Sequence, residues 1–372
     1  MDTNSRLLAL LAALLVACVG HAVAGEFLIA SSDGVFRSEI VGGKQLARPE
    51  KLSDHRLTWL ALSGDAKSLY GGSERSDEGD TNAALSAFRF GDDGTLRFLN
   101  QLPVDGKTPC FVDIDRAGRT LLLTNFRQDT YTSRGSVIHA RVAPDGNLGE
   151  VVDRFTHPGK GGSDSNRQLA SHPHSIVIHP NQKWAAVGDL GVDRIHIYRL
   201  DGDKAEMAHA HSVAARPGQQ PRHVRWHPNG RFLYCMNEAA DSVSVVAFDP
   251  ATGEGKFIQH IKRGGGGGAD LAIDPRGRYL YGSNRGPDTI VGYRIDAGSG
   301  KLTLIGHWKS GGKSTRSLAI DPSGGFLLAA NQGSGNLRAF SIAPTTGELT
   351  RFDEELEVKA PACVRFLPST AK

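Results

Sequence analysis

The chain has 372 residues, 45 of them glycine, so turns and short strands are expected to outweigh long helices. Charged residues make up 22% and hydrophobic residues 39%, which supplies a buried core and excludes a disordered chain. The formal charge of +3 is spread along the sequence, so nucleic acid is not expected as a partner.

At the start, Arg6 precedes the unbroken apolar run from Leu7 to Val19, followed by Ala22-Val23-Ala24 before Gly25. Residues 1–24 therefore read as a secretory signal, leaving residues 25–372 as one exported domain in the periplasm or outside the cell. The apolar run is shorter than the roughly 20 residues a spanning helix needs, so no membrane span is expected. Leu15-Val16-Ala17-Cys18 resembles a bacterial lipobox and offers the alternative of a lipid anchor at Cys18. Past the signal only Cys110, Cys235 and Cys363 remain, which fits buried hydrophobes better than a disulfide framework.

The next residues, EFLIASSDGVFRSEIV (26–41), have the pattern of the second and third strands of a repeat whose first strand is missing. Complete units follow: TWLALSGDAKSLYGGSE, TPCFVDIDRAGRTLLLTNF, HPHSIVIHPNQKWAAVGDL, QPRHVRWHPNGRFLYCMNE, GGADLAIDPRGRYLYGSNR and STRSLAIDPSGGFLLAANQ. Each is a strand, an Asp-Pro, His-Pro or related turn, and a returning strand that ends near Asn or Asp. The final APACVRFLP supplies a first strand alone, so the two ends of the chain complete one another. Seven units of about 50 residues predict an all-β, seven-bladed β-propeller closed by pairing the N- and C-terminal strands in one shared blade. A monomer is expected.

A hairpin returns to its starting end, so two columns of residues should surround one mouth of the ring. The first column is Thr58, Cys110, His174, Arg222, Ala269, Arg316 and Ala362, and the second is Glu74, Phe126, Leu190, Glu238, Arg285 and Gln332, with the seventh place near Ser32. Scaffold positions repeat, as Asp115, Asp274 and Asp321 do, whereas these columns vary and carry charge. Arginine forks suit a carboxylate or phosphate, a glutamate can activate water, and a histidine can shuttle a proton near neutral pH. The catalytic candidates are His174, Glu238, Arg222 and Arg285, and the substrate-binding candidates are Arg316, His223, Asn237 and Gln332. Arg222 and Glu238 also admit the plainer reading of a structural ion pair.

No cofactor and no metal are expected. His172, His174 and His179 look like a metal set, but strand geometry sets His179 roughly 17 Å from the others at about 3.3 Å per residue. Asn125, Asp189, Asn237, Asn284 and Asn331 form a ring that reads as loop caps, and Gly264–Gly268 reads as a mobile linker.

HPHSIVIHP with GDLGVDRIHIY, PRHVRWHPNGRFLYCMNE, ADLAIDPRGRYLYGSNR and APACVRFLP resemble the lactonase family of seven-bladed propellers, over residues 26–368. The family includes propeller-type 6-phosphogluconolactonase and carboxy-cis,cis-muconate cyclase. The resemblance implies lactonase function, hydrolysis of a small anionic or sugar lactone as in 6-phosphogluconolactonase, with the functional residues carried onto His174, Arg222, Glu238 and Arg285. It gives Arg222 and Arg285 the anionic group and the carbonyl, Glu238 the water and His174 the ring oxygen. Two other readings stand beside it: a muconate-type lactonising cycloisomerase, and an exported propeller that binds a ligand or surface without chemistry.

Overall fold

A computed structural model describes residues 25–73, 83–163, 165–202, 204 and 206–368. The signal sequence read at 1–24, with the alternative anchor at Cys18, and the rim candidate Glu74 lie outside the described residues. Among those residues the regular elements are strands, apart from two single-turn 3-10 segments, Asn166–Gln168 and Leu190–Val192.

Seven antiparallel sheets follow one another along the chain. Six are built from consecutive strands, with first and last strands Trp59–Leu62 to Leu96–Pro103, Pro109–Ile114 to Leu148–Phe155, Pro173–Ile178 to Glu206–Ala214, Pro221–Trp226 to Gly255–Lys262, Gly268–Ile273 to Leu302–Lys309, and Thr315–Ile320 to Leu349–Glu357. We number these blades one to six. The innermost strand of each packs on that of the next, and Cys363–Phe366 packs on both blade six and blade one, closing the circle. The protein is a seven-bladed β-propeller.

Turn chemistry explains why the hairpins form where they do. Asp115 accepts backbone N–H bonds from Arg119 and Thr120, and Asp321 does the same for Gly325 and Phe326, which pins the turn after each inner strand. In blades three and four this column holds His179 and His227. Each accepts a backbone N–H at Nδ1, from Asn181 and Asn229, and donates from Nε2 to a glycine carbonyl of the following blade, Gly230 at 2.8 Å and Gly277 at 2.9 Å. Tyr70, Tyr234 and Tyr281 tie neighbouring blades in the same way, through their hydroxyls to the carbonyls of Gly146, Gly300 and Gly347.

The seventh blade joins the two ends of the chain. Glu26–Ser31 lies between Gly34–Val41 and Cys363–Phe366, in a register that sets Phe27 against Phe366 and Ile29 against Val364. Phe27, Ile29 and Val364 are fully buried and pack with Leu328 of blade six. The central channel is plugged partway along by Trp59, Phe111 and His223: the first two stack at 4.4 Å between ring centroids and His223 meets both edge-on.

Because closure depends on this strand exchange, Ile29→Ala is expected to cost about 2–4 kcal/mol through lost burial and the cavity left behind. Thermal or denaturant unfolding checks it; a cost below about 0.5 kcal/mol means that the join does not hold the ring.

Candidate active site

Register places the site. Pro173 pairs with Asp189, Pro221 with Asn237, Gly268 with Asn284 and Thr315 with Asn331, so each inner strand begins beside the residue where its partner ends. Of the residues immediately after these positions, His174, Arg222, Glu238, Arg285 and Arg316 face one mouth. There a cavity of about 490 Å³ is lined by Thr108, Cys110, Phe126, Arg127, Tyr131, Asn166, Arg167, His174, Arg222, Glu238, Arg285 and Arg316. His174, Arg222, Glu238, Arg285 and Arg316, contributed by blades three to six, are thus brought together.

Glu238 is the electrostatic centre. Its Oε2 lies 2.9 Å from Nε of Arg222, its Oε1 lies 3.1 Å from Nη2 of Arg285, and Oε1 also accepts a hydrogen bond from Nη1 of Arg167. The Arg222 approach is a contact of charges without hydrogen-bond alignment, and both atoms otherwise lack a partner. Burial raises the pKa of Glu238, but Arg222, Arg285 and Arg167 outweigh it and hold the carboxyl at about 2. Arg222, itself buried, donates from Nη1 to the carbonyl of Ala269 at 2.7 Å. Burial and the nearby Arg285 and Arg316 lower its pKa to about 9, against the pull of Glu238, so it stays protonated at neutral pH.

His174 is buried, and its Nδ1 has no hydrogen-bond partner. Desolvation, followed by the charges of Arg222, His223, Arg316 and Arg167, pushes its pKa well below 6.5, so the ring is neutral at pH 7. Arg316, half-buried, lines the cavity with no ion pair among the described residues. Five arginines and one glutamate face this space, a strongly cationic setting suited to an anion.

Three predicted substrate contacts fall elsewhere. His223 lies in the channel plug, its Nδ1 2.8 Å from the buried Asp270. Asn237 is fully buried and spends its amide on Ser242 and Ser244, as the cap of its loop. Gln332 is not among the residues lining the cavity. For His223 and Asn237 the cause is strand alternation, which turns the side chain next to a mouth residue into the sheet or along the channel. Leu190 of the second column is likewise buried in an apolar cluster with Cys110 and Phe126.

Two segments outside the repeat contribute more than their composition suggests. Residues 156–163 and 165–172 lie between blade two and blade three and deliver Arg167 from the turn Asn166–Gln168, capped by Ser165. Gln168 anchors this turn through Nε2 to the carbonyl of Leu190, and His172 is held between the carbonyls of Phe126 and Tyr131. Arg167 and Arg127 belong to neither rim column; the signal for them was the stretch from Cys110 to His174, the longest spacing between first-column residues. Gly264–Gly268 is a bracket rather than a linker. Positive φ at Gly264, Gly265 and Gly267 turns the carbonyls of Gly267 and Gly268 onto the Arg285 guanidinium at 3.1 and 3.4 Å.

A family model described as "Lactonase, 7-bladed beta-propeller" matches residues 20–366. The 6-phosphogluconolactonase of Bacillus subtilis is 29% identical over 238 residues, 63% of this chain and 64% of that protein. The 6-phosphogluconolactonase of Formosa agariphila is 32% identical over 194 residues, 51% of this chain and 52% of that protein. The chain thus spans between half and two thirds of these curated relatives. Among solved structures, the periplasmic gluconolactonase of Pseudomonas aeruginosa has a TM-score of 0.84 at 27% identity, covering 92% of this chain and 99% of that one.

Glu238 has a folded pKa below its ordinary 4.5, so its pairing stabilises the fold fully above that ordinary value, and the contribution is lost as pH falls from there toward 2. Glu238→Gln is therefore expected to lower the unfolding midpoint at pH 7, with the gap to the parent closing below about pH 4. Inorganic phosphate should restore part of the loss by occupying the freed guanidiniums. Equal midpoints across this range contradict the arrangement.

Proposed function

The chain belongs to the lactonase family of seven-bladed β-propellers, and on that premise we propose that it hydrolyses a lactone bearing an anionic group, such as a phosphorylated or carboxylated sugar lactone. The observation that carries this reading is the convergence of Arg167, Arg222, Arg285 and Arg316 around Glu238 and a neutral His174 in one cavity. The names of the Bacillus and Formosa proteins support a phosphorylated lactone, and that of the Pseudomonas protein supports lactone hydrolysis alone.

The guanidiniums hold the anionic group and, being fixed before reaction, stabilise the oxyanion that forms when water attacks the carbonyl. The protonation states favour a different division of labour from the one the family resemblance implies. A carboxylate held at about 2 by three arginines is a weak base toward water. A neutral imidazole cannot begin as the acid, but one of its two ring nitrogens keeps a lone pair that can accept a proton. His174 takes a proton from the attacking water and hands it to the departing ring oxygen. Transfer onward is favoured because an imidazolium is poorly tolerated beside Arg222, Arg316 and Arg167. Glu238 keeps the guanidiniums in position and offsets part of their charge. The reaction runs in the periplasm or outside the cell if residues 1–24 act as a signal, in keeping with the periplasmic location in the name of the Pseudomonas protein.

A pH-stat assay with a panel of lactones, charged and uncharged, tests the reading. Hydrolysis well above the spontaneous rate is expected for anionic lactones, with His174→Ala reducing turnover on the order of 10²–10⁴. The free-enzyme profile should stay flat through neutral pH and fall only on the acid side of the usual histidine range, where His174 gains its proton. Full activity in His174→Ala, or no hydrolysis of any lactone by the parent, rejects the proposal; anion binding without turnover would point to a binding propeller.

A further inference from the structure

Asp189 breaks the pattern of its column in a way the reaction does not explain. In blades two, five and six the same place is held by Asn125, Asn284 and Asn331, whose amides donate to the carbonyls of Asp105, Arg263 and Ser310. A carboxylate cannot donate, so the scaffold has no use for the charge at 189. Asp189 is fully buried, and its Oδ1 does the ordinary capping work, accepting from the N–H groups of His172 and Gly191. Oδ2 is left facing two histidines.

His157, on the segment that carries Arg167, lies with Nδ1 2.7 Å from Asp189 Oδ2. His196, on the strand Arg194–Asp201 of blade three, lies with Nε2 3.8 Å from the same oxygen. Both histidines are about nine-tenths or more buried, and Nε2 of His196 has no hydrogen-bond partner. A buried, unpartnered nitrogen is costly unless something else satisfies it. The outer nitrogens are already engaged: Nε2 of His157 is 2.6 Å from the Tyr198 hydroxyl, and Nδ1 of His196 is 2.9 Å from the Ser212 hydroxyl and 3.3 Å from Nε2 of His209. At 2.7 Å from a carboxylate, Nδ1 of His157 carries the proton, so a cation takes this nitrogen only as that proton leaves and Nε2 becomes the donor to Tyr198, whereas His196 offers an Nε2 with no partner.

We infer that His157, Asp189 and His196 form a binding site for one divalent transition-metal ion of the zinc type, joining the Arg167 segment to blade three. The three ligand atoms lie within 4.8 Å of one another. For bonds of about 2.0–2.1 Å, tetrahedral ligand atoms are roughly 3.3 Å apart, a value bracketed by the two separations to Oδ2. Two nitrogens and one oxygen suit Zn²⁺, Co²⁺ or Ni²⁺ rather than the all-oxygen preference of Ca²⁺ and Mg²⁺. The His157 and His196 rings stack with centroids 3.5 Å apart and planes 17° apart, so binding requires one ring to turn until the lone pairs converge. Ser171, which donates to Oδ2 at 2.6 Å, gives way with it. The site acts on the segment that holds Arg167, and its existence does not depend on the reaction proposed above.

The test is calorimetric titration of the chelator-treated, folded full chain with Zn²⁺ alone, with bound metal counted by elemental analysis and Co²⁺ substitution read by visible absorption. One equivalent is expected, with tetrahedral Co²⁺ bands and a higher unfolding midpoint. Asp189→Asn restores the residue type that other blades hold here, so it should fold while losing at least about tenfold in affinity; His196→Gln gives a second variant, and His211→Ala, on the same strand as His209, should bind as the parent does. Absence of stoichiometric binding, or binding lost in His211→Ala and retained in Asp189→Asn and His196→Gln, overturns the inference in favour of a His157–Asp189 ion pair.

Discussion

Closure of the ring is the constraint from which the candidate site follows. An antiparallel hairpin must return to the end from which it started, and seven hairpins arranged around one axis bring all these ends to a single mouth. Like charges from separate blades then meet at distances that an open sheet would not impose. The structure tolerates Arg222, Arg285 and Arg167 there because one carboxylate, Glu238, touches all three. A buried cluster of this kind is weak evidence for stability, since desolvation offsets much of the attraction. Its value is geometric: it holds three planar donors at fixed angles before any ligand arrives.

The mouth is nevertheless only partly a product of the repeat. Arg285 takes its position from the glycine bracket 264–268, where positive φ allows two carbonyls to reach one guanidinium. Arg167 arrives on a crossing segment held to blade three through Gln168 and the His157–Asp189 contact, and to blade two through His172. A regular frame therefore sets the axis and the depth of the cavity, while irregular segments decide how much charge surrounds it.

The architecture was legible because each unit repeats the same physical solution: alternating apolar residues, a turn that caps its own backbone, and a returning strand. Even the shared blade could be read, since 26–41 lacks an inner strand and 360–368 lacks everything else. Rim positions were legible for the same reason, and His174, Arg222, Glu238, Arg285 and Arg316 do line one cavity. What could not be read was the aim of side chains one step away. Asn237 and His223 look equally polar in sequence, yet alternation sends one into its loop and the other into the channel. Arg167 escaped because it belongs to no column, and the cluster of His157, Asp189 and His196 because its members meet only when the crossing segment packs on blade three.

The account stands on the claim that residues from different blades act as one unit on one ligand. A double-mutant cycle on kcat/KM for an anionic lactone, joining His174→Ala in blade three with Arg285→Ala in blade five, measures this directly. The predicted result is non-additivity, a coupling of about 1 kcal/mol or more, as expected for groups that share a partner. Losses that add to within about 0.3 kcal/mol would mean that the two side chains work independently, and the convergence seen at the mouth would not be the origin of the chemistry.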